Sequence, residues 1–249
     1  EKNSEADIDF MLSIISYESG QKEYFNNPMS SGKTFPEITW GKCPPLSSLP
    51  FVVIYADPAS SNKDKPVGKR AANNSMKAVF AVGSMDGNKF YIYKGFLDNM
   101  SNSHFIDGAY ATYEACAKAK LRYVYIENNS LQDPFYQQVL MPLVVMRGKD
   151  KEVLPVIPDE RKKPDKWVRI EGNLEPINRT GNLIFNEQEQ GNPHMQRLEA
   201  QFKAAKPSSR LLDGPDCIEG AVMKIKSKIT AATPAQMHFG QKINNQKKF

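Results

Sequence analysis

Four carboxylates stand where a folded chain could gather them. Asp57 closes the unbroken apolar run Phe51-Val-Val-Ile-Tyr-Ala, and Glu127 closes a second run, Tyr123-Val-Tyr-Ile. In α/β proteins the carboxyl ends of strands form the rim at which ligands bind. Asp213 and Asp216 lie just before and within the first turn of an apolar helical pattern, Ile218, Val222 and Ile225. Each acid alone has a plain structural reading. Asp57 before Pro58 starts a turn, Glu127 before Asn128-Asn129 is an exposed strand end, and Asp213-Gly-Pro-Asp216 caps a helix whose dipole favours acids. Held together, however, three or four carboxylates repel one another until cations neutralise them. Oxygen ligands of this kind select hard divalent ions, Mg²⁺ or Mn²⁺. Two such ions about 4 Å apart activate a water and stabilise the leaving oxygen in phosphodiester cleavage. Two ions are therefore expected here. His104, His194 and His238 are too scattered for a zinc site, and Cys43, Cys116 and Cys217 form no C-x-x-C pair.

The elements that must position these acids can be read along the chain. A helical pattern runs from Asp7 to about Tyr24, and Asn26 to Pro50 is a Pro-, Ser- and Gly-rich lead-in. The buried strand ending at Asp57 follows, then a polar loop from Ser60 to Ser75. Lys77 to Gly83 and Lys89 to Gly95 form a hairpin around Asp86-Gly87-Asn88. Ser103 to Lys120 is helical, Tyr123 to Ile126 is a strand, and Asp133-Pro134 starts a helix that reaches Met146, with a kink at Pro142. Val153 to Ile157 is a short strand, followed by a basic helical segment and a short apolar piece, Leu183 to Phe185. Helices near Pro193 to Ala204 and Pro215 to Lys228 complete the pattern. The expected fold is α/β, with a mixed central sheet flanked by helices, its first three strands antiparallel and the later ones parallel.

The chain of 249 residues is long enough for one sizeable core, and 40% hydrophobic residues favour a globular class. No apolar run approaches the roughly 20 residues that a membrane helix needs, so a soluble protein without a membrane partner is expected. A net charge of +5 permits a polyanionic partner without demanding one. Arg161, Lys162, Lys163, Lys166 and Arg169 crowd one stretch, and Lys242, Lys247 and Lys248 lie near the end; the plain reading of both runs is a solvated surface. The unpaired cysteines fit a reducing compartment, and an opening at Glu1 without a leader suggests an unsecreted fragment of a larger protein. Ser31-Gly32-Lys33-Thr34 imitates the end of a phosphate-binding loop. Asn27 stands where that pattern needs Gly, and Phe35-Pro36 blocks the following helix, so a turn is the better reading.

Tyr55-Ala-Asp57-Pro-Ala, Tyr125-Ile-Glu127-Asn-Asn and Leu212-Asp213-Gly-Pro-Asp216-Cys-Ile-Glu-Gly-Ala221 together resemble the nuclease of the viral terminase large subunit. Order and approximate spacing agree, and Glu23-Tyr-Phe-Asn-Asn-Pro28 resembles that family's linker to an ATPase motor. The resemblance implies an RNase H-like fold related to RuvC resolvases. It divides the chain into a lead-in and linker (1–50), a nuclease domain (51–228) and a basic tail (229–249). Asp57, Glu127 and an acid of the Asp213/Asp216 pair would hold the metals, Asp216 more deeply placed and Asp213 assisting. Lys166 and Arg169, in a stretch that also resembles the family, would contact DNA phosphates. The family often has Asp-Asp-x-x-Asp at the last motif where this chain has Leu212 before Asp213, and an acid near Asn74-Ser75 is missing.

By the same resemblance the substrate is concatemeric double-stranded DNA. The partners would be an ATPase domain, a portal ring and a small terminase subunit, and the setting the host cytoplasm and, transiently, the procapsid. A RuvC-like Holliday junction resolvase or a transposase nuclease shares the chemistry. A non-catalytic RNase H-like adaptor would keep the fold without cleavage. An actin-like sugar kinase would need Gly-rich phosphate loops, and the Ser60 to Ser75 loop has a single Gly.

Overall fold

The computed structural model describes residues 4–15, 34–59, 75–128, 133–209 and 211–232. The Ser31-Gly32-Lys33 turn, the Glu23–Pro28 linker motif, most of the loop before Ser75, and the basic tail from residue 233 lie outside the described residues.

Among the described residues, seven strands form one mixed sheet in the order β1-β7-β4-β3-β2-β5-β6. They are β1 (Thr39–Gly41), β2 (Val52–Asp57), β3 (Lys77–Ser84), β4 (Phe90–Asp98), β5 (Arg122–Glu127), β6 (Val156–Asp159) and β7 (Leu183–Asn186). β2, β3 and β4 pair antiparallel in sequence, and β5 and then β6 add in parallel on the far side of β2. This is the mixed layout, antiparallel first and parallel after, expected from the sequence. One difference lies at the other edge, where β7 pairs parallel with β4 and β1 pairs parallel with β7. The stretch read as a lead-in thus contributes the edge strand, beginning upstream of residue 51. Short strands that pair only with distant partners leave little local pattern to read.

Helices cover both faces. α1 (Glu5–Ile14) begins in a capping box from Ser4 and Asp7. α2 (Asn102–Ala115) and α3 (Asp133–Phe135, a π turn Tyr136–Leu140, then Met141–Gly148) pack on one face through Phe105, Ile106, Ala109, Leu140 and Val144. The π turn falls just ahead of Pro142, where the missing N–H breaks the regular ladder. α4 (Lys166–Arg179), α5 (Pro193–Lys203) and α6 (Asp213–Ala232) pack on the other face through Ile170, Leu174, Leu198, Phe202, Ile218 and Val222. Each such side chain, once buried, contributes about 1.5–3 kcal/mol. No helix among the described residues is long and apolar enough to cross a membrane.

α6 is the element that carries acids to the sheet. It lies so close to β2 that a Cβ on Gly220 would stand 2.4 Å from the Tyr55 ring. Only glycine permits that approach. Cys217 Sγ also donates to the Tyr55 carbonyl at 3.2 Å. The helix is therefore fixed against β2 one turn beyond Asp216.

Candidate functional site

Alternation along β2 and β5 places Asp57 after Val53 and Tyr55, and Glu127 after Tyr125, on the face that α6 covers. α6 presents Asp216 from its first turn. One carboxylate oxygen from each of Asp57, Glu127 and Asp216 lies within 4.8 Å of the others. Three residues spread over 160 positions of sequence thus converge on one rim of the sheet. Asp213 stands beside this trio and is occupied otherwise. Its Oδ2 accepts from the Met76 amide at 2.8 Å and its Oδ1 from Lys166 Nζ at 2.9 Å.

The cations around the acids come from one short stretch, between the end of β6 and the first turns of α4. Lys163 Nζ lies 2.6 Å from Glu127 Oε2. Lys166 Nζ lies 3.2 Å from Asp216 Oδ2, and Arg169 Nη1 lies 2.6 Å from Asp216 Oδ1. Arg169 also meets Glu219 Oε2 at 2.7 Å. Lys166 and Arg169 therefore reach the site as the sequence suggested, but Arg169 is buried among carboxylates and does not face solvent. Lys166 keeps about a third of its side chain exposed, at 36%.

Charge is unevenly distributed among the three acids. Asp57 is only 7% exposed, and no cation among the described residues lies within ion-pair distance of it. Burial, followed by the charges of Glu127 and Asp216, pushes its carboxyl up to about 8. Burial also raises Asp216, but Lys166, Lys163 and Arg169 outweigh it and hold that carboxyl below its usual range. Burial lowers the Lys166 ammonium, while Asp213, Asp216 and Asp57 outweigh that effect and raise it.

A buried carboxylate with its Oδ1 on the Ala59 amide at 3.0 Å, and without an ion-pair partner among the described residues, fits a divalent metal. The donors are all oxygens, which suits Mg²⁺ or Mn²⁺ and disfavours zinc. Asp57, Glu127 and Asp216 would hold such an ion. Bound there, it would polarise a phosphate oxygen and acidify a water.

No family model matches the chain, and no curated protein matches it in sequence. Solved structures with a similar fold include the large terminase nuclease from thermophilic phage G20c, at 10% identity and a TM-score of 0.44, covering 84% of this chain and 98% of that one. T. thermophilus RuvC in complex with Holliday junction substrate is 12% identical with a TM-score of 0.37, over 72% of this chain and 96% of that one. A yeast mitochondrial Holliday junction resolvase is 10% identical with a TM-score of 0.36, over 72% of this chain and 85% of that one. The chemistry of the site rests on its own geometry.

Two acids of the site region escaped the sequence reading. Asp159 closes β6 in register with Glu127, so β2, β5 and β6 end in Asp57, Glu127 and Asp159 side by side. Its carboxylate accepts from Tyr55 Oη at 2.6 Å and pairs with Arg161 at 2.9 Å and Lys224 at 2.7 Å. The strand-end rule that found Asp57 and Glu127 would have found it too, had the strand been placed two residues later. Glu219, one turn after Asp216 on α6, is fully used by Arg169 and Asn173.

Proposed function

We propose that this chain is the nuclease of a viral DNA-packaging terminase, a divalent-metal-dependent endonuclease that cuts concatemeric duplex DNA with little sequence preference. The observation that carries the nuclease reading is the meeting of Asp57, Glu127 and Asp216 oxygens within 4.8 Å at the carboxyl rim of the sheet. The terminase role is supported by the order and spacing of the three acidic motifs.

In this reading Asp57, Glu127 and Asp216 bind Mg²⁺ or Mn²⁺, and Asp57 loses its proton as the ion enters. Lys166, partly exposed beside the trio, offers charge to a substrate phosphate. Arg169 orients Asp216 and does not touch DNA. Contacts of this kind read backbone and not base edges, so binding weakens steeply with salt. An ATPase domain, a portal ring and a small terminase subunit would be the partners in the intact protein, acting in the host cytoplasm and at the procapsid.

The test is digestion of supercoiled plasmid with Mn²⁺, Mg²⁺ or EDTA. The parent should nick and linearise plasmid with either ion and do nothing in EDTA. Preference for a four-way junction over linear duplex would replace the terminase reading by a resolvase one. Metal-independent cutting, or none, would remove the nuclease reading.

A further inference from the structure

Lys77 is a charged residue where its strand calls for an apolar one. It opens β3, whose eight residues are all buried, and it is itself wholly shielded from solvent. Burying an ammonium is costly unless its hydrogens find acceptors. One acceptor lies at the rim of the sheet, where Lys77 Nζ donates to the Ala59 carbonyl at 2.9 Å. We propose that Lys77 is a positioning residue for metal binding, which fixes the turn after Asp57 and so aims the Asp57 carboxylate at Glu127 and Asp216. This inference deepens the metal-nuclease reading and rests on it.

The connection from lysine to acid is short. The Ala59 carbonyl accepts from Lys77, and the Ala59 amide donates to Asp57 Oδ1 at 3.0 Å. A single residue therefore ties the two side chains together. In the ladder between β2 and β3, Asp57 pairs with Ala78, so Lys77 comes next along the ladder, beside the turn that leaves β2. A hydrogen bond on Oδ1 restricts the rotation of the carboxylate, and that rotation decides how its oxygens meet an ion.

Alternation along β3 tells from which side the lysine works. Ala78, Phe80 and Val82 belong to the core under α6, and Val79 and Ala81 to the core under α2. Lys77 has the parity of Val79 and Ala81. It sets out from the face opposite the three acids and meets the turn from behind. With no surface open to solvent it does not meet DNA, and its effect on the acids passes through Ala59.

The residue before it anchors the other side of the site. The Met76 amide donates to Asp213 Oδ2 at 2.8 Å, and Asp213 Oδ1 accepts from Lys166, whose ammonium lies 3.2 Å from Asp216. The turn after β2 and the first turn of α6 are thus both moored where β3 begins. Ligands that come from separate elements keep their spacing only while such moorings hold.

The experiment compares the whole chain with Lys77→Met and Lys77→Gln, two neutral variants of different polarity. Amide hydrogen exchange without metal reads the turn directly. The Ala59 amide should exchange about tenfold faster in both variants, as expected for a weakened hydrogen bond, while Ile54 in the middle of β2 keeps the parent rate. Calorimetric titration should show Mn²⁺ affinity reduced about 10- to 100-fold, the usual loss when a metal ligand is deprived of the group that orients it. Equal acceleration at Ala59 and Ile54, or two variants that do not fold, would make Lys77 a support of the sheet and overturn the proposal. So would a loosened Ala59 with Mn²⁺ affinity unchanged. A parent that binds no Mn²⁺ would overturn the metal reading and this inference with it. A parent that binds Mn²⁺ no better than its variants do would overturn this inference alone.

Discussion

Asp57 and Asp159 occupy equivalent places, each the last residue of a strand on the same rim of one sheet, and the fold treats them in opposite ways. Around Asp159 the chain supplies Lys224, Tyr55 and Arg161. Burial raises its carboxyl, but these partners outweigh burial and bring it down to about 2. Around Asp57 it supplies burial and three further acids, which outweigh Lys166, and the carboxyl rises to about 8. Asp159 is thus electrostatically complete, while Asp57 has no ion-pair partner among the described residues. Position at a strand end tells where an acid stands. Its partners tell whether it belongs to the architecture or waits for a cation.

The largest effect should come from exchanging charge at these two places. Asp57→Asn keeps the shape and removes a metal ligand, so plasmid nicking in Mn²⁺ should fall about a thousandfold, some 4 kcal/mol in barrier. Asp159→Asn should leave the rate within about tenfold, because its oxygens already serve Tyr55, Arg161 and Lys224. Equal losses in the two variants, measured by initial nicking rates, would erase the distinction.

Stability should reverse the order. Asp159→Asn leaves Arg161 and Lys224 facing a neutral amide, and should cost roughly 3 kcal/mol in urea unfolding, the lower end for breaking a buried pair. The lower end is apt because those partners keep 31% and 17% of their side chains exposed. Asp57→Asn without metal should lose nothing at pH 8 and gain stability, since it removes a buried charge that has no ion-pair partner among the described residues. A loss there would mean that Asp57 is a structural acid.

Gly220 joins the two places. Its missing Cβ lets α6 reach the Tyr55 ring, whose hydroxyl serves Asp159 while the same helix carries Asp216. Gly220→Ala should cost about 2 kcal/mol through overpacking. It should also weaken Mn²⁺ binding, because Asp216 moves with the helix. Unchanged calorimetric affinity would uncouple helix placement from the metal site.

Much of this comparison was open to sequence reading and part of it was not. β2, β3, β4 and β5 declare themselves by apolar runs and a Gly-containing hairpin, so Asp57 and Glu127 could be placed at strand ends. β6 was read early, as Val153 to Ile157, because Pro158 signals a strand end. The strand occupies Val156–Asp159, at a sheet edge where a missing N–H is tolerated. That offset hid Asp159. Glu219 stands inside the last motif with nothing in its local pattern to mark it, and only packing joins it to Arg169 and Asn173. Lys163 was absorbed into a basic stretch read as solvated, and only tertiary packing places it against Glu127. The helix after Asp213 was recognised from its apolar spacing, although it begins at Asp213 and runs on to Ala232.

The smallest effect is the dependence on pH, and its sign separates the two acids again. Asp159 lies below its ordinary value of 3.8, so its contribution is full above about pH 4 and is lost as pH falls toward 2. Asp57 lies above the same 3.8, so between that value and about 8 the folded chain holds a proton that the unfolded chain has released. Its contribution to metal-free stability therefore falls as pH rises through that window. Metal entry must displace the same proton, so Mn²⁺ affinity should rise up to tenfold per pH unit, about 1.4 kcal/mol, until pH 8 and then level off. Calorimetric titrations at pH 6, 7 and 8 measure this slope. Asp57→Asn should flatten whatever binding survives. A parent whose affinity is flat across the range would place the displaced proton elsewhere, and Asp57 would then be ionised and compensated, as Asp159 is.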